Sequence, residues 1–159
     1  AIDNKVESFS LDEQIRQSIL LLEPKWAEKE IELDVDLERI DYEGNKALMM
    51  HVWNNLIDNA IKFTPEKSTV SIALRKDGDR VIFTVEDEGE GIAEEDLPYI
   101  WDRYYKIDKQ HVRRMNSSGI GLSIVRQVLE MHHAPFGVTS RINEGSTFWF
   151  ELPLSGQKK

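Results

Sequence analysis

Residues 45–63 read NKALMMHVWNNLIDNAIKF, and the period of this stretch decides how the chain folds around it. Because each residue of a helix advances by about 100°, one arc is apolar and consists of Met49, Val52, Trp53, Leu56, Ala60 and Phe63. The neighbouring arc is polar and consists of His51, Asn55, Asp58, Asn59 and Lys62. The pattern predicts a helix that packs its apolar arc against a sheet and stops before Pro65.

The polar arc has an unusual composition for a solvated helix surface. Surface helices favour Glu, Lys and Arg, whereas asparagine is a poor helix former, and Asn55 and Asn59 lie one turn apart. Amide oxygens are hard ligands that suit Mg²⁺, and Lys62, one turn further on, is placed to meet a phosphate. The alternative is an ordinary polar face, because this spacing also arises by chance.

The rest of the chain alternates between helical and strand periods. Helices are predicted from a cap at Ser10 or Asp12 to about residue 29, with a break or kink at Pro24, and over 94–104 and 120–131. Strands are predicted over 31–37, with one buried face, and over 69–75, 80–86, 136–142 and 147–152. Asp77 and Gly78 favour a tight hairpin turn, and residues 106–118, which lack a period, are interpreted as a mobile loop. These elements indicate a mixed sheet covered by helices on one face.

A glycine-rich turn, Asp87-Glu88-Gly89-Glu90-Gly91-Ile92, directly follows a predicted strand. Gly89 and Gly91 would let the backbone approach a flat ligand closely. A buried carboxylate at Asp87 accepts a hydrogen bond from an exocyclic amine, which distinguishes adenine from guanine because guanine carries a carbonyl there. The alternatives are an ordinary loop with a solvated acid and a calcium loop, whose pattern of acids this segment does not match.

A second glycine pair, Gly119-Ile120-Gly121, opens the helix predicted after the aperiodic loop. Free amides at a helix N-terminus hold phosphate oxygens, although a lone GxG is a weak signal. The preceding loop carries Lys106, Lys109, Arg113 and Arg114 against the single acid Asp108. It reads either as a basic lid over phosphates or as a solvated loop.

Composition limits the classes of function. The chain has 159 residues, a formal net charge of −9 and no cysteine. The length suits one domain, the charge opposes binding to nucleic-acid phosphates, and the lack of cysteine excludes disulfides and thiolate metal sites. The longest aliphatic run, residues 19–22, is far short of the roughly 20 residues of a membrane helix, and no signal-peptide pattern is present. We expect no nucleic-acid partner and no direct membrane contact.

Taken in order, five motifs resemble the catalytic domain of sensor histidine kinases, within the ATPase superfamily that includes gyrase and MutL. The resemblance covers about residues 10–154. Residues 55–63 look like the N box, 87–92 like the first G box and 100–106 like the F box. Residues 118–122 look like the second G box and 145–148 like the closing strand motif.

The resemblance implies a fold and a set of site residues. The fold is α+β, a two-layer α/β sandwich of the Bergerat type with a mixed, mostly antiparallel sheet. The cofactors are ATP and Mg²⁺, with Asn59 and Asn55 at the metal and Lys62 at phosphate. Asp87 would read the adenine amine with Thr147 acting through water, and Phe63 and Ile92 would wall the base. The remaining binding positions are Gly89, Gly91, the lid hinges Gly119 and Gly121 with Ile120 and Leu122, and Lys106 as a further phosphate contact.

Some positions depart from the family pattern. Trp101 and Tyr104 replace two phenylalanines of the F box, where we expect the packing role to persist. Lys106 stands where arginine is common, so a point charge replaces a bidentate fork. Ser117 replaces a glycine before the lid helix, and His133-Ala134 replaces a glycine pair near its end.

The amide side chain of Asn55 distinguishes the histidine kinases from the hydrolytic members of the superfamily that this chain resembles. The hydrolytic and serine-kinase relatives carry a glutamate base at this position, and an amide cannot take a proton at neutral pH. A histidine acceptor needs no such base, because neutral imidazole is already a nucleophile. Asn55 therefore also argues against an anti-sigma-factor serine kinase.

The acceptor histidine itself is expected on another domain. In the family an acidic residue follows it, and none of the four histidines here has such a neighbour. We interpret residues 1–9 as a linker from a dimerisation domain, 10–155 as the catalytic domain and 156–159 as a tail. The partners are then that dimerisation domain and a response regulator, with a monomeric isolated domain in the cytoplasm. The alternative is a regulatory module that binds nucleotide without transfer.

Overall fold

The helix predicted over residues 45–63 lies at the centre of the fold. The computed structural model describes residues 5–102 and 121–154. Within these ranges the elements, in chain order, are β1 (Glu7–Ser10), α1 (Leu11–Leu21), α2 (Glu23–Glu28), β2 (Glu32–Leu37), β3 (Asp41–Gly44), α3 (Lys46–Phe63), β4 (Thr69–Asp77), β5 (Arg80–Asp87), a 3-10 helix (Glu94–Tyr99), α4 (Gly121–Met131), β6 (Phe136–Ser140) and β7 (Ser146–Pro153).

Five strands form the main sheet in the order β2-β4-β5-β7-β6. Strands β2 and β4 are parallel, and the other three pairings are antiparallel. A two-stranded antiparallel sheet, β1 with β3, was not predicted. The mixed, mostly antiparallel sheet with helices confirms the predicted α+β fold class.

Helix α3 begins and ends where local chemistry requires. The side chain of Asn45 accepts a hydrogen bond from the Leu48 N–H at 3.0 Å, which satisfies one of the unpaired donors of the first turn. Thr64 is extended, as expected for a residue before proline. The indole of Trp53 packs against Phe83 and Phe150 of the sheet, with ring centroids 4.9 and 5.5 Å away.

The apolar face of α3 is wider than the sequence predicts. Ile57 and Ile61, outside the predicted arc, are also buried. The helix packs on strand β5 and is flanked by α1 on one side and α4 on the other. A helix enclosed on three sides needs more apolar surface than one that rests on a sheet alone.

Several predicted boundaries differ from the structure. The first helix is broken at Leu22, one residue before α2 begins with Glu23-Pro24, which confirms the expected effect of Pro24. The hairpin loop consists of Gly78 and Asp79 rather than Asp77 and Gly78, and Gly78 has the positive φ, +65°, that such a turn requires.

Four further predictions need correction. Strand β6 ends at Ser140 rather than residue 142, and the helix predicted over 94–104 is a 3-10 helix that ends at Tyr99, with residues 103 and 104 outside the described ranges. The expected buried face of β2 is incomplete, because this edge strand leaves Val35 40% exposed. The predicted linker 1–9 reaches into the fold, since Phe9 of β1 is buried against Tyr42.

Candidate functional site

Asn59 is a buried polar side chain in the C-terminal half of α3. The residue is 3% exposed, and neither the nitrogen nor the oxygen of its side-chain amide has a hydrogen-bond partner. No other buried side-chain nitrogen or oxygen of residues 5–102 and 121–154 is in this state. A buried amide without a partner lowers the free energy of unfolding by about 1 to 3 kcal/mol. It therefore does not contribute to the stability of the fold.

The other members of the predicted polar arc separate into two groups. Asn55 is half-buried, and its amide nitrogen donates to the His51 carbonyl at 2.7 Å, which turns its oxygen end away from the helix backbone. Lys62 is exposed at the last turn of α3. Asp58 instead lies towards α2, where its carboxylate pairs with Lys25 at 3.1 Å. Of the predicted metal and phosphate residues, Asn55, Asn59 and Lys62 therefore remain outside this ion pair.

Lys29, which immediately follows α2, holds the end of α3 in place. Its ammonium donates to the carbonyls of Ile61 at 2.8 Å and Lys62 at 3.0 Å, the unpaired acceptors of the last turn. Burial lowers the pKa of Lys29, and the charge of Glu66 opposes this effect. Lys29 is not predictable from the sequence, because nothing in its neighbourhood along the chain indicates a contact 32 residues away.

The turn after β5 is hydrogen-bonded to the residue that follows α3 and to the first residue of β4. Asp87 is 2% exposed, and its Oδ1 accepts from the Gly89 N–H at 2.9 Å. The Glu88 N–H donates to the hydroxyl of Thr64 at 3.0 Å, and the Glu88 carboxylate accepts from the Thr69 N–H at 2.8 Å. The buried position predicted for Asp87 is confirmed.

The two glycines of this turn are required by close contacts within the chain. A Cβ at Gly89 would lie 2.4 Å from the Phe63 carbonyl oxygen, and one at Gly91 would lie 1.9 Å from the Arg141 carbonyl oxygen. Gly91 also has a φ of +81°, which disfavours other residues. Both glycines were expected to admit a flat ligand, whereas in the structure they admit the backbone of the chain itself.

The register of β5 and β7 places Thr147 and Ser146 differently with respect to Asp87. Ser146 lies opposite Asp87, and Thr147 lies opposite Glu86. Because neighbouring residues of a strand point to opposite faces, the Thr147 side chain lies on the other face of the sheet from Asp87. Ser146, which is 3% exposed, is the hydroxyl beside Asp87. Once the pairing of β5 with β7 is known, the alternation of side chains identifies Ser146 as the residue on the same face as Asp87. The sequence does not reveal that pairing.

Ile92 ends the turn, and the Phe63 carbonyl lies close to Gly89 of the same turn. Ile92 is 1% exposed, and its N–H donates to Ser140 Oγ at 2.8 Å. Phe63 is half-buried at the end of α3. Trp101 keeps the packing role expected of its F-box position, because its ring lies edge-on to Phe136 and Phe148 at 4.9 and 5.6 Å.

The second glycine pair lies partly outside the described residues. Gly121 begins α4, and both Gly121 and Leu122 are buried. Lys106, Gly119 and Ile120 fall outside the described residues, as do the predicted basic loop and Tyr104. Helix α4 packs against α3, which brings its first turn to the same side of the fold as the carboxyl half of α3.

His132 joins the other ends of these two helices. Its Nε2 accepts from the Asn45 N–H at 3.0 Å, and its Nδ1 lies 2.8 Å from the Val128 carbonyl. These partners require a neutral ring that carries its proton on Nδ1. Burial lowers the pKa of His132, the Val128 carbonyl opposes this effect, and the charge of His133 adds to it.

A cavity of about 760 Å³ lies beside the turn and is lined in part by Ile92, Leu97, Ser140 and Ser146. Neither Asp87 nor Asn59 lines it. The cavity is therefore a neighbour of the site, not its centre. In the described ranges no helix has the length and apolarity needed to cross a membrane.

Comparison with known proteins identifies relatives of this arrangement. Residues 44–156 match the family model described as histidine kinase-, DNA gyrase B-, and HSP90-like ATPase. The chain is 31% identical over 153 residues to the circadian input-output histidine kinase CikA of Synechococcus elongatus, which covers 94% of this chain and 20% of CikA. It is 37% identical over 113 residues to the heme sensor protein HssS of Staphylococcus epidermidis, which covers 71% of this chain and 24% of HssS.

Solved structures resemble this one over nearly its whole length. The catalytic domain of the histidine kinase ThkA has a TM-score of 0.84 at 28% identity and covers 98% of this chain and 99% of that one. ThkA in complex with the response regulator protein TrrA has a TM-score of 0.79 at 27% identity and covers 97% of this chain and 43% of that one. The chain spans less than a quarter of the length of CikA or HssS.

Proposed function

Because the chain belongs to the family of histidine kinase-, DNA gyrase B- and HSP90-like ATPases, we propose that it binds Mg-ATP and transfers the γ-phosphoryl group to a histidine on another domain. Its relative CikA and its structural neighbour ThkA are both named histidine kinases. The residues that would carry this activity lie on α3, on the turn after β5 and at the start of α4.

The unpaired amide of Asn59 carries the proposal. A buried amide with neither donor nor acceptor satisfied fits a residue whose partner is a ligand. Its oxygen would hold Mg²⁺, the oxygen of Asn55 would lie one turn away, and the ammonium of Lys62 would meet phosphate. When bound, ATP and Mg²⁺ supply the transferable phosphoryl group and the charge that neutralises its oxygens.

The position of Asn55 supports transfer to histidine over hydrolysis. An amide cannot remove a proton from water or from a serine hydroxyl at neutral pH. The side-chain nitrogen of Asn55 already donates a hydrogen bond to the His51 carbonyl, which fixes the orientation of this amide. The chain then contributes positioning and charge, and the incoming imidazole contributes the nucleophile.

The adenine end of the site would lie at the turn after β5. Asp87 would accept from the exocyclic amine, and Ser146 would take the role that the sequence analysis gave to Thr147. Phe63 and Ile92 would wall the base. At the opposite end of the nucleotide, the helix N-terminus at Gly121 would face phosphate oxygens.

The partners we propose are a dimerisation domain that carries the acceptor histidine and a response regulator. Support comes from the neighbour ThkA, which was solved in complex with the response regulator protein TrrA. Residues before β1 would lead from the dimerisation domain, and the site would act in the cytoplasm.

The test is phosphoryl transfer in trans. The chain is mixed with the parent's dimerisation domain, labelled ATP and Mg²⁺, and the acceptor is examined for acid-labile phosphohistidine. Wild type should label the acceptor, and Asn59→Ala should not. The chain alone should bind ATP without labelling itself. Binding of ATP without transfer in any acceptor mixture would indicate a regulatory module, and self-labelling would contradict the assigned site.

A further inference from the structure

Strand β2 forms one edge of the main sheet, and half of its backbone groups point away from the sheet. Among the described residues, its only strand partner is the parallel strand β4. The Glu32 N–H donates to the Ser68 carbonyl, and the Glu38 N–H donates to the Leu74 carbonyl, both at 2.9 Å. Hydrogen bonds between parallel strands use every second residue of each strand. The even-numbered residues of β2 therefore bond to β4, and the odd-numbered ones direct their backbone groups outwards.

The outward backbone groups belong to Leu33, Val35 and Leu37. No hydrogen bond joins these groups to any other residue that the structure describes. Through the register with β4 and β5, the three side chains lie on the same face as Phe83, against which α3 packs. Val35 is nonetheless 40% exposed. The edge therefore offers a further strand both a row of backbone donors and acceptors and an apolar side chain to pack against.

The opposite face of β2 is acidic. Glu32, Asp34 and Asp36 alternate with the apolar residues, and all three are exposed. Asp36 pairs with Arg75 at 2.8 Å, but this ion pair is exposed and contributes little because water screens it. Glu32 and Asp34 form no ion pair with any of the described residues. Both carboxylates are therefore available to the cations of a bound chain.

The charge around this edge determines which strand it can accept. Residues 28–43 contain eight acids and two bases, so they carry a net charge of −6 out of the total of −9. Like charges on neighbouring strands repel, which opposes pairing of this edge with a second copy of itself or with any acidic strand. A strand with basic side chains towards the acids and apolar side chains towards Val35 would complement both faces.

We propose that the open edge of β2, residues 32–38, binds an extended segment of a partner protein in which lysine or arginine alternates with apolar residues. The bound segment extends the five-stranded sheet by one strand. Hydrogen bonds to the outward backbone groups provide affinity, and the alternation of charge and apolar side chains provides specificity. Strand β2 carries none of the residues assigned to the nucleotide site, so the test of this surface is separate from the test of the proposed function.

The probe is a labelled peptide of alternating lysine and valine that spans the six residues of β2. A peptide of the same composition, with its lysines and valines in two blocks, tests charge alone, and an alternating glutamate and valine peptide tests the sign of the charge. By fluorescence anisotropy, the alternating lysine peptide should bind at least about tenfold more tightly than either control. Its binding should slow amide hydrogen exchange at Leu33, Val35 and Leu37, whereas the amides of Asp34 and Asp36 already bond to β4 and should change little.

Variants of β2 separate the backbone from the charge. Val35→Pro removes one outward N–H and keeps the bonds to β4, since the outer side of an edge strand tolerates proline. It should weaken the alternating lysine peptide about tenfold, and the control Val35→Ile, which keeps the N–H, should stay within about threefold of wild type. Asp34→Lys should weaken the lysine peptide and strengthen the alternating glutamate peptide, because it reverses the charge that faces the added strand.

Other results would overturn the proposal. Equal affinity for the alternating and the block lysine peptides would mean that charge alone attracts the probe, and binding without slower exchange at the outward amides would place the peptide elsewhere. Slow exchange at these amides in the chain alone would show that the edge is already covered. No binding of the alternating lysine peptide would leave the edge without the proposed partner. Thermal unfolding shows whether each variant is folded, and amide exchange in wild type decides the matter if Val35→Pro is not.

Discussion

Replacing Asn59 with leucine should make the protein more stable and unable to use Mg-ATP. The amide of Asn59 is 3% exposed and has no partner for either polar atom, a state that costs about 1 to 3 kcal/mol. Leucine has the same branched outline, needs no partner, and is favoured over asparagine within a helix by about half a kcal/mol. The free energy of unfolding of the nucleotide-free chain should therefore rise by about 1.5 to 3.5 kcal/mol, or roughly 3 to 14 °C in Tm.

Asn54 provides the matched control on the same helix. Its side-chain oxygen accepts from the hydroxyl of Ser18 at 2.6 Å, and Ser18 is completely buried. Asn54→Leu leaves that hydroxyl without an acceptor, so the same substitution one position before Asn55 should lower the free energy of unfolding by about 1 to 2 kcal/mol. The two variants should differ in the sign of the effect.

Urea unfolding without nucleotide measures both stabilities, and calorimetric titration measures Mg-ATP binding. Asn59→Leu should bind Mg-ATP at least about tenfold more weakly, the equivalent of about 1.4 kcal/mol. Two results would refute the reasoning. One is a loss of stability in Asn59→Leu comparable to that in Asn54→Leu, which would mean that the amide has a structural partner. The other is wild-type affinity for Mg-ATP in Asn59→Leu, which would remove Asn59 from the site.

Three further predictions follow from single contacts. Asp87→Ala should weaken ATP binding at least about tenfold by calorimetry with the fold retained, and unchanged affinity would remove Asp87 from the adenine site. Lys29→Met should lower the free energy of unfolding, measured in urea, by about 1 to 2 kcal/mol, because two carbonyls at the end of α3 lose their donor. The control Lys25→Met, at a largely exposed ion pair, should change it by less than about 1 kcal/mol. The pKa of His132 is lowered below its ordinary 6.5 in the folded state, so the His132 contribution to stability should be complete above pH 6.5 and should be lost progressively as the pH drops below it. His132→Gln should remove this decrease of Tm with falling pH, and His133→Gln should not.

Strong local periods made most of the fold predictable. Helix α3, the hairpin of β4 and β5 and the strand β7 follow directly from apolar spacing, because each buries a regular face in one core. The pair β1 and β3 could not be predicted, since four residues are too few to establish a period. Each of these strands is held by its partner across a long separation in the chain, as in the pairing of Phe9 with Tyr42, 33 residues apart, and their edge-on ring contact at 5.9 Å.

The site was only partly predictable for a related physical reason. Asn55, Asn59 and Asp87 attract notice because each is locally unfavourable, an amide within a helix or an acid at the end of an apolar strand. Ser140 and Ser146 are ordinary in strands, so their residue types signal nothing. The role expected of Thr147 came from the resemblance alone, whereas the β5–β7 register, which places Ser146 and Thr147 on opposite faces, is set by pairings far apart in the chain.

This contrast separates the residues that would meet the ligand from those that would hold them in place. Asn59 has a buried amide that the fold leaves unpaired, so its local cost can be offset only by something from outside the fold. Ser140 and Lys29 are satisfied within the fold, each bonded to backbone groups of other segments. Substitutions of the first kind should therefore separate binding from stability, whereas substitutions of the second kind should change both. Measuring the two quantities for each variant thus tests a residue's role independently of any resemblance to another protein.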